Sequence, residues 1–231
     1  MFELFGLTAR PMIRFPAGNE VPEFSVFASL LRVTTKYGFS NVRDQLVKDL
    51  KGAYPTKWED FRIAKVLGED VFGPPKPHPN AVLNLFESQG VMFAIPFAAY
   101  RVSIGGFQTL MSDKPGTVLS RRAFASTVQG MNALSASICK AARMVAYGGG
   151  LRVCPDKTCT LNVDANPVEK RMEALEKVYL AMIDKREGGP LSPPRLGNLL
   201  CAKCAERVAA TIEGWGSTCW ERLGPVFGVS D

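Results

Sequence analysis

The 231-residue sequence contains a single histidine, His78, and it stands between Pro77 and Pro79. An acid–base histidine needs an orienting partner and a pocket. A Ser-His-acid or Cys-His set would have to use this one residue, so no such machinery is expected. The acids Asp44, Asp49, Glu59 and Asp60 show no spacing of a paired catalytic couple and suit solvent-facing positions. Gly148-Gly-Gly150 lacks the Lys-Ser or Lys-Thr of a phosphate loop. No run of eighteen apolar residues exists, and the most hydrophobic stretch, residues 91–100, is too short to span a bilayer. The N-terminus lacks a basic start, an apolar run and a small-residue cleavage site. An intracellular protein of the cytoplasm or nucleus is therefore expected, with no membrane partner. No alternating strand pattern and no internal repeat are present.

Positive charge is in modest excess, +6 from 28 Lys and Arg against 22 Asp and Glu. Solubility alone accounts for that value. Arg121 and Arg122 are adjacent, but Lys170 and Arg171 lie among Glu169, Glu173 and Glu176. No groove-reading motif accompanies the charge, so nucleic acid is not the expected partner.

What the chain does have is apolar periodicity. Hydrophobic residues make up 46% of it, with 21 Gly and 16 Pro placed mostly between periodic segments. Residues 1–23, broken by Pro11, Pro16 and Pro22, read as an irregular lead-in. From Phe24 the pattern turns helical, with Phe24, Phe27 and Leu31 on one side and Val26, Leu30, Val33 and Tyr37 close beside them, a stripe whose width suits a helix deep in a core. Gly38 is a stop, and Ser40 or Asn41 a cap for the next helix, which carries Val42, Leu46, Val47 and Leu50. A short helix is expected from Trp58 to about Leu67. Residues 73–79 form a proline-rich connector. Asn80 is read as the cap of a helix carrying Val82, Leu85 and Phe86. The run around Pro96 is read as the central element of the bundle.

Residues 105–116 read as a looser region with turn chemistry at Asp113-Lys-Pro-Gly116. Ser120 is read as the cap of a long helix with the stripe Phe124, Val128, Met131, Leu134, Ile138, Ala142 and Val145. Asn166-Pro167 with Glu169 is a further helix start, followed by Val168, Met172, Leu175, Tyr179 and Met182. Cys201, Ala205, Val208 and Ile212 share a last helical face. Trp215, Trp220, Leu223, Val226 and Phe227 form an aromatic tail.

Two cysteine pairs stand out. Cys154-Pro-Asp-Lys-Thr-Cys159 has four intervening residues, and Cys201-Ala-Lys-Cys204 has two. One pair follows a glycine loop and the other opens a helix, so four thiolates can surround one zinc ion. The free amides of a helix start favour thiolate charge, and Lys157 and Lys203 offset part of it. Ordinary core burial is the competing reading. Thiol–disulfide chemistry is a third, although the strand that usually precedes its motif is not evident. Cys139 and Cys219 are read as packing residues.

Several segments resemble a known family. Residues 24–43, Pro79-Asn-Ala-Val-Leu-Asn-Leu-Phe86 with Ala94-Ile-Pro-Phe-Ala-Ala-Tyr100, and Leu200-Cys-Ala-Lys-Cys204 with Trp220-Glu-Arg-Leu-Gly-Pro-Val-Phe-Gly228 are similar to the region downstream of the BTB/POZ domain in mushroom-forming-fungus proteins. The resemblance implies a module attached to a self-associating or partner-binding domain. That domain is expected to be absent, residues 1–23 being too short to contain it, so its dimerisation is not carried over.

The resulting expectation is an all-α irregular bundle of seven to nine helices. It covers residues 24–231, divisible into packed halves 24–104 and 117–231. Its expected function is that of a non-enzymatic scaffold or adaptor for an unidentified protein partner, with no small-molecule substrate. The alternatives are a zinc-stabilised module with ligands Cys154, Cys159, Cys201 and Cys204, and a weak nucleic-acid binder.

Overall fold

The computed structural model describes residues 22–61, 72–147 and 201–227, together with Cys154, Cys159, Lys170 and Glu173. Among these residues the structure is all-α, with seven α-helices, one 3-10 helix and no strand. The only extended pairing described is an isolated bridge between Glu23 and Gly73. No helix among the described residues is long and apolar enough to cross a membrane.

Helix α1 (Phe24–Tyr37) buries Phe27, Ala28, Leu31 and Thr34. Gly38 ends it at φ 71°, in the left-handed region that costs glycine little. The chain re-enters helix at once. The Ser40 amide bonds the Gly38 carbonyl at 2.8 Å, and α2 (Ser40–Ala53) begins at Ser40. Neither Ser40 nor Asn41 therefore caps α2. Phe39 holds the cap position without a side-chain bond, because the turn leaves no extended residue after it. Helix α2 turns Leu46 and Leu50 inward, while Val42, expected on the same buried side, is exposed. A helical turn at residues 58–61 follows, and the remainder of the helix expected there lies outside the described residues.

Helix α3 (Pro79–Gln89) starts two residues before the sequence reading placed it. His78 is its cap, its Nδ1 accepting the Asn80 amide at 3.3 Å. Burial, and then the charge of Lys114, hold the His78 pKa below the usual imidazole value. Asn80 is fully buried instead of capping. Its Nδ2 donates to the Thr109 carbonyl at 2.7 Å and the Thr117 carbonyl at 2.9 Å. One turn further on, Asn84 Nδ2 donates to the Val118 carbonyl at 2.8 Å. Two asparagines on one helix face thus clip the connection between the next two long helices.

A 3-10 turn (Met92–Ala94) leads into α4 (Ile95–Leu110), with Pro96 in the first turn where it costs no hydrogen bond. The region expected to loosen from residue 105 stays helical to Leu110, with a break at Gly106 (φ 76°, ψ −174°). Thr109 Oγ1 donating to the Gly105 carbonyl at 2.9 Å helps carry the helix across the break. Helix α4 buries Ala98, Ala99, Tyr100, Val102 and Ser103.

Helix α5 (Arg121–Tyr147) is capped as the sequence suggests, the Ser120 hydroxyl accepting the Ala123 amide at 3.0 Å. The same hydroxyl donates to Glu87 Oε2 at 2.7 Å, tying the start of α5 to α3. Its buried seam begins one residue away from the expected stripe. Ala123, Thr127 and Gly130 lead into Leu134 and Ile138, while Phe124 stays exposed. Small residues allow close approach here, and the Phe227 ring sits where a side chain on Gly130 would be. Cys139, expected to pack, is exposed. The helix expected after Asn166 lies outside the described residues, apart from Lys170 and Glu173, which are helical and exposed.

Helix α6 (Ala202–Glu221) runs through residues 215–220, which the sequence suggested as a separate tail, and α7 (Leu223–Val226) follows. Gly216 lets the Trp58 ring approach the α6 backbone. Trp220 stacks on Phe61 with ring centroids 4.5 Å apart and tilts against Phe97 at 5.7 Å. Full burial of each large apolar side chain contributes about 1.5–3 kcal/mol, so this aromatic group is a main tie between the last helices and the first half of the chain.

Candidate metal centre

The N-terminus of α6 organises the site. Cys201 occupies its cap position with extended backbone (φ −65°, ψ 158°). The Ala205 amide returns to the Cys201 carbonyl at 2.9 Å, closing the first helical turn. Cys204, three residues on, falls on the same side of that turn. Cys154 and Cys159 arrive from the segment after α5. All four Sγ atoms lie within 4.8 Å of one another. The shortest recorded approach, Cys154 Sγ to Cys201 Sγ, is 3.5 Å.

These separations suit a metal better than a disulfide. A disulfide needs sulfurs about 2.0 Å apart, and none of the four cysteines is in a disulfide. Zinc–sulfur bonds of about 2.3 Å in a tetrahedron place sulfurs roughly 3.5–4 Å apart. The Cys154–Cys201 pair, at 3.5 Å, meets that value. Four soft sulfur donors with no oxygen among them match zinc and not a hard cation.

Burial and polarity are uneven across the cluster. Cys154, Cys159 and Cys204 are buried, and Cys201 is partly open. The Cys204 amide is the largest influence on the Cys201 thiol. With smaller help from the neighbouring thiols and against some desolvation, it brings the Cys201 pKa down to about 7. Burial pushes the Cys204 thiol far above the ordinary range, and its hydrogen bonds to the neighbouring thiols act in the same direction. The group thus holds one readily ionised sulfur beside one that resists ionisation. A divalent cation offsets that resistance by supplying charge at the centre.

All four cysteines singled out from their spacing therefore meet at one point. Cys139 and Cys219 do not join them. Burial pushes the Cys219 thiol up, with Ser137 and Arg222 pulling the other way. The two asparagine clips on α3 were not recognised in the sequence, and Val26, Val33 and Tyr37 of α1, read there as part of one wide core-facing stripe, are exposed because nothing among the described residues covers that side. Asn80 was hidden by its cap-like position. No protein-family model, curated protein or solved structure matches the chain.

Proposed function

We propose that this chain is a non-enzymatic helical interaction scaffold whose C-terminal part is fastened by a structural zinc ion on Cys154, Cys159, Cys201 and Cys204. The convergence of four sulfurs from two distant segments within 4.8 Å carries the zinc part of this reading. A closed all-cysteine set leaves no open coordination position, which is the pattern of structural and not catalytic zinc. The scaffold part is supported by the use of the single histidine as a helix cap. The likeness to the region following a fungal BTB/POZ domain agrees with an adaptor role.

Elemental analysis of protein purified without added metal tests the zinc reading. About one zinc per chain is the expected result, and a value below about 0.2 overturns it, because a structural site keeps its ion through purification. Turnover in a broad hydrolase or transferase screen would overturn the scaffold reading.

A further inference from the structure

Helix α1 has two apolar faces: one is buried in the core, and the other meets it only through Leu30. Phe27 and Leu31 are fully buried. Val26, Leu30, Val33 and Tyr37 follow at steps of four, three and four on another side of the helix. Leu30 is half-buried, while Val26, Val33 and Tyr37 are 47%, 44% and 62% exposed. Phe39, 55% exposed, extends the stripe at the turn into α2, its ring 6.3 Å from that of Tyr37. Contiguous exposed apolar surface of this kind marks an interaction site.

We infer that this stripe docks an acidic amphipathic helix of a partner protein, an assignment that rests on the scaffold reading above and gives it a surface. The backbone groups of α1 are spent on its own helical hydrogen bonds, so a partner strand cannot add to it and recognition runs through side chains. A ridge stepping by four, three and four fits the grooves of another helix.

Charge selects the partner's sign. Helix α1 carries Arg32 and Lys36 and no acidic residue. Both cations are exposed, and Lys36 lies 5.3 Å over the Tyr37 ring, beside the stripe. A second copy of α1 would set these cations against their equals. An anionic lipid surface generally needs a cluster of about four to eight Lys or Arg, and α1 has two. Carboxylates flanking an apolar seam satisfy both demands.

The test uses the full purified chain and two synthetic three-heptad peptides, each with leucine at the seam positions. One carries glutamate at the flanking positions and the other lysine. Fluorescence anisotropy should show the glutamate peptide binding about tenfold more tightly, the size expected from two surface ion pairs. Arg32→Glu combined with Lys36→Glu should reverse that order. Val33→Asp and Tyr37→Asp should each abolish binding with the helical circular dichroism unchanged, since both positions are exposed.

Equal binding of the two peptides, or none by either, overturns the assignment while leaving zinc content and the enzymatic screen untouched. Self-association lost in Val33→Asp would show a second copy as the occupant instead. Co-sedimentation with phosphatidylserine vesicles lost in the same variant would show a membrane. Either result overturns the proposal.

Discussion

The indole of Trp220 stacks on the ring of Phe61 at an interplanar angle of 29°, with centroids 4.5 Å apart. Its Nε1 also reaches the Thr56 carbonyl at 3.4 Å, across 164 residues of sequence. Trp58 and Phe97 complete the group around it. Trp220→Ala should therefore cost about 3–5 kcal/mol, the range for removing a buried aromatic. Trp220→Phe retains most of the stacking surface and should cost less. Urea denaturation followed by circular dichroism compares the two, and an alanine variant as stable as the parent would show that the last helices contribute little to the first.

Zinc binding should depend on the four clustered cysteines and on no others. Cys204→Ser and Cys201→Ser should each lower metal content sharply, while Cys139→Ser and Cys219→Ser leave it at the parental level. Thiol titration of the native protein should find at most two reactive cysteines, rising to six after chelation in denaturant, because the cluster supplies four of the six in the sequence. Zinc affinity should fall as pH is lowered, since protons compete for every thiolate the metal needs. Equal metal content across the four variants would remove the cluster from the argument.

Asn80 contributes through its amide donor. Replacing it with alanine removes the side-chain donor from the Thr117 carbonyl, at about 1–3 kcal/mol for a buried group left unsatisfied, and leaves the Thr109 carbonyl to the Ser112 backbone amide. Asn80→Asp should be more damaging than Asn80→Ala above neutral pH, because it turns a buried carboxylate toward two carbonyl oxygens. Thermal melting at two pH values separates the variants. An aspartate variant melting at the parental temperature would contradict the clip.

The histidine cap makes stability fall on the acid side. Burial and Lys114 lower the pKa of His78 in the folded chain from its ordinary 6.5. The unfolded chain then binds the proton more readily. The stabilisation is fully present above pH 6.5 and is lost as the pH falls through the lowered folded value. His78→Asn, which can still accept the Asn80 amide, should flatten that part of the stability–pH curve. An unchanged slope in this variant would assign the acid sensitivity to other groups.

Gly130→Ala places a methyl group where the Phe227 ring lies. Helix propensity alone would favour alanine by about 1 kcal/mol. Overpacking costs about 1–3 kcal/mol, so net destabilisation is expected in chemical denaturation. The double variant Gly130→Ala with Phe227→Ala should recover the propensity gain relative to Phe227→Ala alone.

Local chemistry in the sequence determined much of this protein. Apolar steps of three and four specify the helices, Gly38 and Ser120 mark a stop and a start, and the spacing of Cys154, Cys159, Cys201 and Cys204 identifies a candidate ligand set. Tertiary structure decided which of several adjacent apolar stripes is covered. On α1 periodicity could not rank Phe27 and Leu31 against Val33 and Tyr37, because both sets recur at helical intervals and burial depends on what lies opposite. It also turned Asn80 from a cap into a buried clip and made Gly130 the seat for Phe227. It brought Cys154 and Cys201, 47 positions apart, to a sulfur separation of 3.5 Å. Spacing along a chain is local information, and the meeting of distant segments depends on the packing of everything between them.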